Sequence, residues 1–137
     1  MTQRLYLLDT NIAIYLRRQR PKAVVTRFSR LLDGEAAMSV VSYGELQFGV
    51  RNHPQPDDAA IALQELTSLV PVLPLPEGAG RFYGEIQFAL RKRGELIGNN
   101  DMWIAAHALS ADLIVVTNNE REFRRVNGLR IENWTLD

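Results

Sequence analysis

The stretch Arg4–Arg18, RLYLLDTNIAIYLRR, decides the fold, because a short apolar run stops at Asp9 and an amphipathic segment begins directly behind it. The run Leu5–Leu8 is too short for a globular helix and shows no polar alternation, so it predicts a strand buried on both faces. In open parallel sheets the ligand crevice lies just beyond the carboxyl ends of the strands. We therefore expect the Asp9 carboxylate to face a functional site.

The same stretch allows a purely structural interpretation. Asp, Thr and Asn are common helix N-caps, and Asp9, Thr10 and Asn11 precede a helical pattern of apolar residues between Ile12 and Leu16. On these residues alone, a capping role and a functional role for Asp9 both stay open.

Size and composition restrict the class of protein. The 137 residues, 46% of them apolar, predict a single domain spanning 1–137 with one core. The absence of cysteine excludes a disulfide framework and any cysteine-ligated zinc or iron–sulfur site. The sequence shows neither a signal-peptide pattern nor an apolar run of roughly 18 residues, so we expect a cytoplasmic protein without a membrane segment.

The basic residues say more by their type than by their number. Sixteen basic residues balance sixteen acidic ones, which does not indicate a strongly basic nucleic-acid binder. Fourteen of them are arginine, which binds phosphate bidentately. The arginine clusters are Arg17, Arg18 and Arg20; Arg91 and Arg93; and Arg121, Arg124 and Arg125. Solvated helix faces explain each cluster at least as well as phosphate binding.

The rest of the chain predicts further strands and helices. The strands are 36–41, 70–75, 113–117 and 129–134, and the helices are 22–32, 42–52, 57–69, 77–93 and 101–109. Two prolines in 70–75 cannot donate to a ladder, so this strand is expected at an edge. Gly94 is expected to cap the preceding helix at its carboxyl end.

Two further acids occur near the starts of predicted helices, where structural explanations compete. Glu45 falls in the first turn of the helix that opens at Ser42, and the two residues also fit a capping box. Asp101 begins another helix, and Asn99, Asn100 and Asp101 all suit helix caps. His107, inside that helix, has no second histidine at ligand spacing and predicts a packing or partner-contact role.

Taken together, the acids predict a metal site. Asp9, Glu45, Asp101 and the segment 119–122 all fall at one edge of the predicted sheet. Crowded carboxylates raise one another's pKa, which is costly unless a divalent cation offsets the repulsion. Oxygen ligands without cysteine or histidine suit Mg²⁺ or Mn²⁺, which can activate a water for phosphodiester cleavage. Arginines would then position the substrate backbone.

Four spaced motifs carry a resemblance over nearly the whole chain. They are LLDTNIAIYL (7–16), SVVSYGEL (39–46), GNNDMWIAAHA (98–108) and LIVVTNNEREFRRVNGLRIENW (113–134). In this order and spacing they resemble PIN-domain ribonucleases, in particular the VapC toxins of bacterial type II toxin–antitoxin systems. The resemblance implies an α/β/α sandwich around a mainly parallel sheet and Mg²⁺- or Mn²⁺-dependent endonucleolytic cleavage of RNA. It matches the family's invariant acids to Asp9, Glu45 and Asp101, in preference to the capping explanations.

The fourth acidic position departs from the pattern of the family. Many PIN domains have aspartate two residues after the threonine that here is Thr117, and this chain has Asn119 at that place. An asparagine oxygen can hold a water or a metal but adds no charge, so Glu122 is the predicted fourth acid and Asn119 the reserve. Glu120 is the weakest candidate, because it can pair with Arg124.

The resemblance also implies partners. They are a cognate antitoxin that blocks the site, an RNA substrate expected to be structured RNA and in particular tRNA, and a second copy in a homodimer and in a larger toxin–antitoxin complex. The helix 77–93 or 101–109 is expected at the dimer interface. The predicted substrate contacts are Asn11, Thr117, Asn119, Arg91 and Arg93. The alternative is a catalytically silent PIN-like module that binds RNA or protein, against which the intact acids argue.

Overall fold

The computed structural model describes residues 3–136, which form a five-stranded sheet with strand order β3-β2-β1-β4-β5 and only parallel pairs. The strands are β1 (Tyr6–Leu8), β2 (Ala36–Ser39), β3 (Val72–Leu73), β4 (Ile114–Val116) and β5 (Ile131–Glu132). The helices are α1 (Thr10–Arg18), α2 (Lys22–Ser29), α3 (Val40–Arg51), α4 (Pro56–Leu69), α5 (Ala79–Arg93), α6 (Asn99–Ala111) and α7 (Glu120–Phe123).

The central strand β1 is paired with β2 on one side and with β4 on the other. All three of its residues are buried, as the apolar run predicts. Leu8 is in register with Met38 of β2 on one side and with Val116 of β4 on the other. The carboxyl ends of these three strands are therefore level, and the residues that follow them meet at one edge of the sheet.

Alternate residues of β1 enter two separate cores. Leu8 packs with Ile12 of α1 and Leu63 of α4 on one face, in a core that also contains residues of α2 and α3. Leu7 packs on the opposite face with Ile86 of α5 and with residues of α6 and α7. Helices therefore cover both faces of a parallel sheet, which confirms the predicted α/β/α sandwich.

The prediction for the start of α3 was wrong. The strand expected over 36–41 ends at Ser39, and the helix begins at Val40 rather than at Ser42. The β-branched Val40 and Val41 suggested a strand, but Ser39 Oγ accepts a hydrogen bond from the Val41 N–H at 3.2 Å and caps the helix. Ser42 is thus buried inside the helix, and the capping box with Glu45 does not form.

The cap of α6 also differs from the prediction. The helix begins at Asn99 with Gly98 as its N-cap, so Asn99, Asn100 and Asp101 lie in the first turn and none of them is the cap. Gly98 has extended backbone and no side chain to form a cap hydrogen bond, so polar residues at the start of the helix did not indicate the cap. At the other end, α6 continues two residues beyond the expected Leu109 to Ala111.

The remaining differences are at element ends. The edge position of β3 and the cap at Gly94 are confirmed, although β3 covers only two residues between its prolines. The helix expected over 22–32 ends at Ser29, and α7 is an additional single turn that the sequence did not predict. The predicted starts at 57 and 77 fall at 56 and 79, and strands 113–117 and 129–134 shorten to 114–116 and 131–132. Among residues 3–136, no helix has the length and apolarity required to cross a membrane.

Candidate active site

Asp9 lies directly behind β1 and performs the capping role that the sequence allowed. Its Oδ1 accepts a hydrogen bond from the Ile12 N–H at 2.9 Å, and its Oδ2 accepts one from the Thr117 hydroxyl. The residue is only 5% exposed. Capping alone does not require a carboxylate to be buried beside other acids, so the two roles are not exclusive.

The environment of Asp9 opposes its ionisation. Burial is the largest cause and raises the pKa of this carboxyl, and the negative charge of Glu45 raises it further. The hydrogen bonds from Thr117 and from the Ile12 and Asn11 backbone lower the pKa, but the net direction is upward. The fold therefore holds a carboxylate in a place where a nearby positive charge would stabilise it.

Asp101 in the first turn of α6 shows the same effect. Burial, followed by the charges of Asp9, Glu122 and Glu45, raises its pKa from 3.8 to about 6. The charges of the other three predicted acids therefore all reach Asp101, although Asp9 lies between β1 and α1, Glu45 in α3 and Glu122 in α7. That these acids bind one metal ion stays a prediction.

Glu45 points toward the start of α1. It lies in the second turn of α3, is exposed, and accepts a hydrogen bond from the Thr10 hydroxyl at 2.6 Å. The sequence reasoning considered Thr10 only as a helix cap and missed this contact. The sequence does contain a signal for this contact. Thr10 directly follows Asp9 as the first residue of α1, so it has to lie at the same edge of the sheet.

The donor atoms at this edge fit a hard divalent cation. All four acids offer carboxylate oxygens, and mutual repulsion contributes to the raised pKa of Asp9 and of Asp101. In the described part of the chain, no three acidic or histidine side chains converge closely enough to bind one ion as they stand. Glu45, bonded to Thr10, would have to turn toward the other acids to join them.

The segment behind β4 distinguishes the candidates for the fourth acid. Glu120 is engaged, because it accepts hydrogen bonds from Arg124 at 2.9 Å and from the Asn133 side chain at 3.0 Å. Glu122 acts on the pKa of Asp101 and is half-buried. The contacts thus agree with the preference for Glu122.

The predicted substrate contacts are in different environments. Thr117 is fully buried and also accepts a bond from the Asn119 N–H at 2.8 Å, so its contacts support a role in holding Asp9. Asn119 is half-buried at the N-cap of α7, and Asn11 is exposed in the first turn of α1. Their contact with substrate stays a prediction.

The two predicted arginine contacts also differ. Arg93 donates to Glu95 at 3.0 Å and to the Arg125 carbonyl at 2.8 Å, which gives it a structural role. Arg91 is exposed in the last turn of α5 and is the better placed of the two for a substrate phosphate. Both contacts remain untested predictions.

An open cavity of about 810 Å³ adjoins Glu45. It is bounded by Thr10, Val40, Val41, Gly44, Glu45, Phe48 and Asn100. The ring of Phe48 is 70% exposed, although the chain has few exposed aromatic side chains. The cavity therefore lies between α1, α3 and α6, beside Glu45.

The comparisons with known proteins agree with this geometry. Residues 6–129 match the model of the PIN domain. The chain is 42% identical over 135 residues to Ribonuclease VapC1 of Haemophilus influenzae (strain R2866), covering 96% of this chain and 98% of that protein. It is 38% identical over 130 residues to the tRNA(fMet)-specific endonuclease VapC of Shigella flexneri, covering 95% and 98%. The structure of VapBC-1 from nontypeable Haemophilus influenzae superposes with a TM-score of 0.89 at 41% identity, covering 96% of this chain and 98% of that chain.

Proposed function

Since this chain belongs to the PIN-domain family and, within it, to the VapC ribonucleases, we propose that it is a metal-dependent endoribonuclease toxin neutralised by a cognate antitoxin. The observation that carries the proposal is the position of Asp9, a buried carboxylate directly behind the central strand, held by the Thr117 hydroxyl and the Ile12 N–H at the carboxyl edge of the sheet. The negative charges of Asp9, Glu122 and Glu45 also act on Asp101, and a bound cation would offset this repulsion.

Asp9, Glu45 and Asp101 would hold a Mg²⁺ or Mn²⁺ ion directly, and Glu122 would hold it through water. When bound, the ion supplies an activated water and offsets the charge that develops on the phosphodiester. The chain contributes orientation: Thr117 and the Ile12 N–H fix the two oxygens of Asp9, and α6 fixes the position of Asp101. Cleavage by an activated water is expected to leave a 5′-phosphate.

We propose structured RNA, and in particular tRNA, as the substrate. The relative from Shigella flexneri is named as a tRNA(fMet)-specific endonuclease, and the likeness to it covers 95% of this chain. The exposed Arg91 would contact phosphate, which positions a folded backbone without reading its sequence. Messenger RNA cut in single-stranded regions, with tRNA intact, would contradict the tRNA assignment and leave the nuclease mechanism standing.

The proposed antitoxin would bind between α1, α2 and α4. A groove of about 280 Å³ there includes Leu16, Val25, Phe28, Leu66 and Leu69 among its lining residues. Leu69 is 63% exposed, although it is a large apolar side chain. The groove suits an apolar partner segment, and a cationic side chain of the partner would block the acids. The solved VapBC-1 structure is consistent with such a complex in the family.

We also propose that the protein forms a homodimer through α5 or α6. The exposed Phe88 on α5, 70% accessible, supports this choice of surface. Light scattering of the purified toxin is expected to give twice the chain mass. A monomer mass at micromolar concentration would contradict the proposed dimer and leave the nuclease proposal unaffected.

The decisive experiment replaces Asp9 by Asn, which keeps shape and capping ability but removes the charge. Purified Asp9→Asn protein should remain folded and lose metal-dependent cleavage of total cellular RNA. Asp57→Asn, an exposed acid in the first turn of α4, is the matched control and should cleave like the natural sequence. Undiminished cleavage by a folded Asp9→Asn protein would end the proposal. Failure of the natural sequence to cleave any RNA would instead favour the silent binding module.

A further inference from the structure

His107 lies inside α6 and is hydrogen-bonded to Ser39, the last residue of β2. Only 1% of the residue is exposed, and its Nδ1 is 2.9 Å from Ser39 Oγ. Burial lowers the pKa of His107 from 6.5 to about 4, so the imidazole is neutral at pH 7. Its neighbours Ala106 and Ala108 are completely buried and apolar. An apolar side chain would occupy this position without the cost of burying a polar ring.

The partner of His107 is the residue on which α3 begins. Ser39 ends β2, is fully buried, and caps α3 by accepting a hydrogen bond from the Val41 N–H. The histidine bond therefore reaches the first turn of α3 through a single hydroxyl group. Val41 in that turn also packs into the core on the α6 side of the sheet.

The two linked helices carry two of the proposed metal ligands. Asp101 precedes His107 by six residues (107 − 101) on α6, and Glu45 follows Ser39 by six residues (45 − 39) on α3. Six residues rise about 9 Å along a helix. Each acid thus lies about this far along its helix from the bond between His107 and Ser39. Small shifts of α3 against α6 would change the separation of the two carboxylates.

We propose that His107 is a positioning residue, whose bond to Ser39 fixes α3 against α6 so that Glu45 and Asp101 can hold the same metal ion. This inference rests on the proposed metal-dependent function. The bond touches no proposed ligand, so it would act by fixing the two helices on which Glu45 and Asp101 lie. His107 itself contacts neither metal nor substrate.

The test compares two replacements of similar shape. Asn places a polar atom where histidine has Nδ1 and can bond to Ser39, whereas Leu places a methyl group there. Mn²⁺ affinity is measured by calorimetry on purified, folded protein. We expect His107→Leu to weaken Mn²⁺ binding by roughly 10- to 100-fold, and His107→Asn to remain within about threefold of the natural sequence. Ile86→Val, a buried change in α5, is the control and should bind Mn²⁺ normally.

Urea unfolding of the same variants separates positioning from a general effect on stability. A buried Asn leaves amide groups unpaired, so His107→Asn should be less stable than His107→Leu. A positioning role therefore predicts that His107→Asn binds Mn²⁺ more tightly than His107→Leu although it is the less stable of the two. Ser39→Ala should weaken Mn²⁺ binding at least as much as His107→Leu, because it removes both the bond to His107 and the cap of α3. Adding His107→Leu to Ser39→Ala should cost little more, since the bond between the two residues is already lost. Equal Mn²⁺ affinity of His107→Leu and the natural sequence, or an affinity that follows stability across the set, would overturn the proposal.

A second measurement is independent of the metal. Amide hydrogen exchange in the first turn of α3 should be faster in His107→Leu than in His107→Asn. If the natural sequence binds no Mn²⁺, the proposed function and the role in metal binding fail together, while this exchange still reports whether His107 fixes α3. Unchanged exchange in His107→Leu would remove the link between the helices as well.

Discussion

Thr117 donates a hydrogen bond to the Asp9 carboxylate across 108 residues of sequence, and both side chains are buried. β1 and β4 are neighbours in register, so the residue after each strand lies beside the other at the carboxyl edge. The threonine hydroxyl lowers the pKa of Asp9 against the larger opposing effect of burial. The hydrogen bond thus favours the anionic form of a buried acid.

Replacing Thr117 by Val keeps the shape of the side chain and removes this hydrogen bond. The pKa of Asp9 should rise further, so metal binding at pH 7 should weaken and RNA cleavage should fall. An unpaired Asp9 oxygen should cost about 1–3 kcal/mol in the free energy of unfolding. Calorimetry with Mn²⁺ and urea unfolding measure both effects. Thr26→Val on the exposed face of α2 is the control, and equal Mn²⁺ affinity of the two variants would contradict the role given to Thr117.

The pKa of Asp101 makes the metal-free protein less stable as the pH rises. The carboxyl titrates at about 6 in the folded state against 3.8 in the reference state, so the folded protein binds more protons between these values. The contribution of Asp101 to stability is therefore present below about pH 4 and is lost as the pH rises through 6. After a discount for partial exposure, the loss is about 1–2 kcal/mol.

Asp101→Asn isolates this effect. At pH 7 in the presence of a chelator, this variant should be more stable than the natural sequence, with a smaller difference at pH 4.5. The comparison between the two proteins is needed because His107 acts oppositely: its pKa is lowered to about 4, so its contribution is lost as the pH falls from 6.5. Urea unfolding at both pH values is the measurement, and Asp57→Asn, an exposed acid in α4, is the control. A stability difference that does not change with pH would refute the shared electrostatic site.

Much of the fold was predictable because its decisive segments are locally consistent. The apolar run before Asp9 has one compatible structure, and the prolines around β3 allow only an edge position. Helix starts were less predictable. Val40 and Val41 have β propensity but lie in a helix, which Ser39 caps by accepting a hydrogen bond from the Val41 N–H.

The contacts around the predicted site residues were less predictable than the position of Asp9 at the end of β1. Strand ends place Asp9 beside Thr117 at one edge, because the parallel strands β1 and β4 are in register and end at the same level. Asp101 comes from the first turn of α6. The bonds from Thr10 to Glu45 and from His107 to Ser39 join helices distant in sequence. No local pattern encodes such pairs, since they depend on how the helices pack over the sheet.

Leu69 tests the proposed antitoxin groove. It is exposed at the end of α4 and lines the groove between α1, α2 and α4. Leu69→Asp should weaken binding of the antitoxin at least tenfold, because a charge would have to be buried against an apolar segment. Ile61→Asp on the same helix is also exposed and lies outside the groove lining, so it should bind normally. Affinities are measured with the co-expressed antitoxin after separation, and equal weakening by both variants would place the interface elsewhere.

Arg91 tests how the substrate is held. It is exposed in the last turn of α5, whereas Arg93 is bonded to Glu95 and to the Arg125 carbonyl. Arg91→Glu should lower kcat/KM for tRNA and reduce the dependence of binding on salt by about one phosphate contact, while Mn²⁺ affinity stays unchanged. Arg93→Glu should weaken cutting as well, but with a loss of stability, because its internal bonds break. Arg51→Glu at the far end of α3 is the charge-matched control and should leave the salt dependence as it is. Cleavage by Arg91→Glu with the salt dependence of the natural sequence would show that α5 does not contact the RNA backbone.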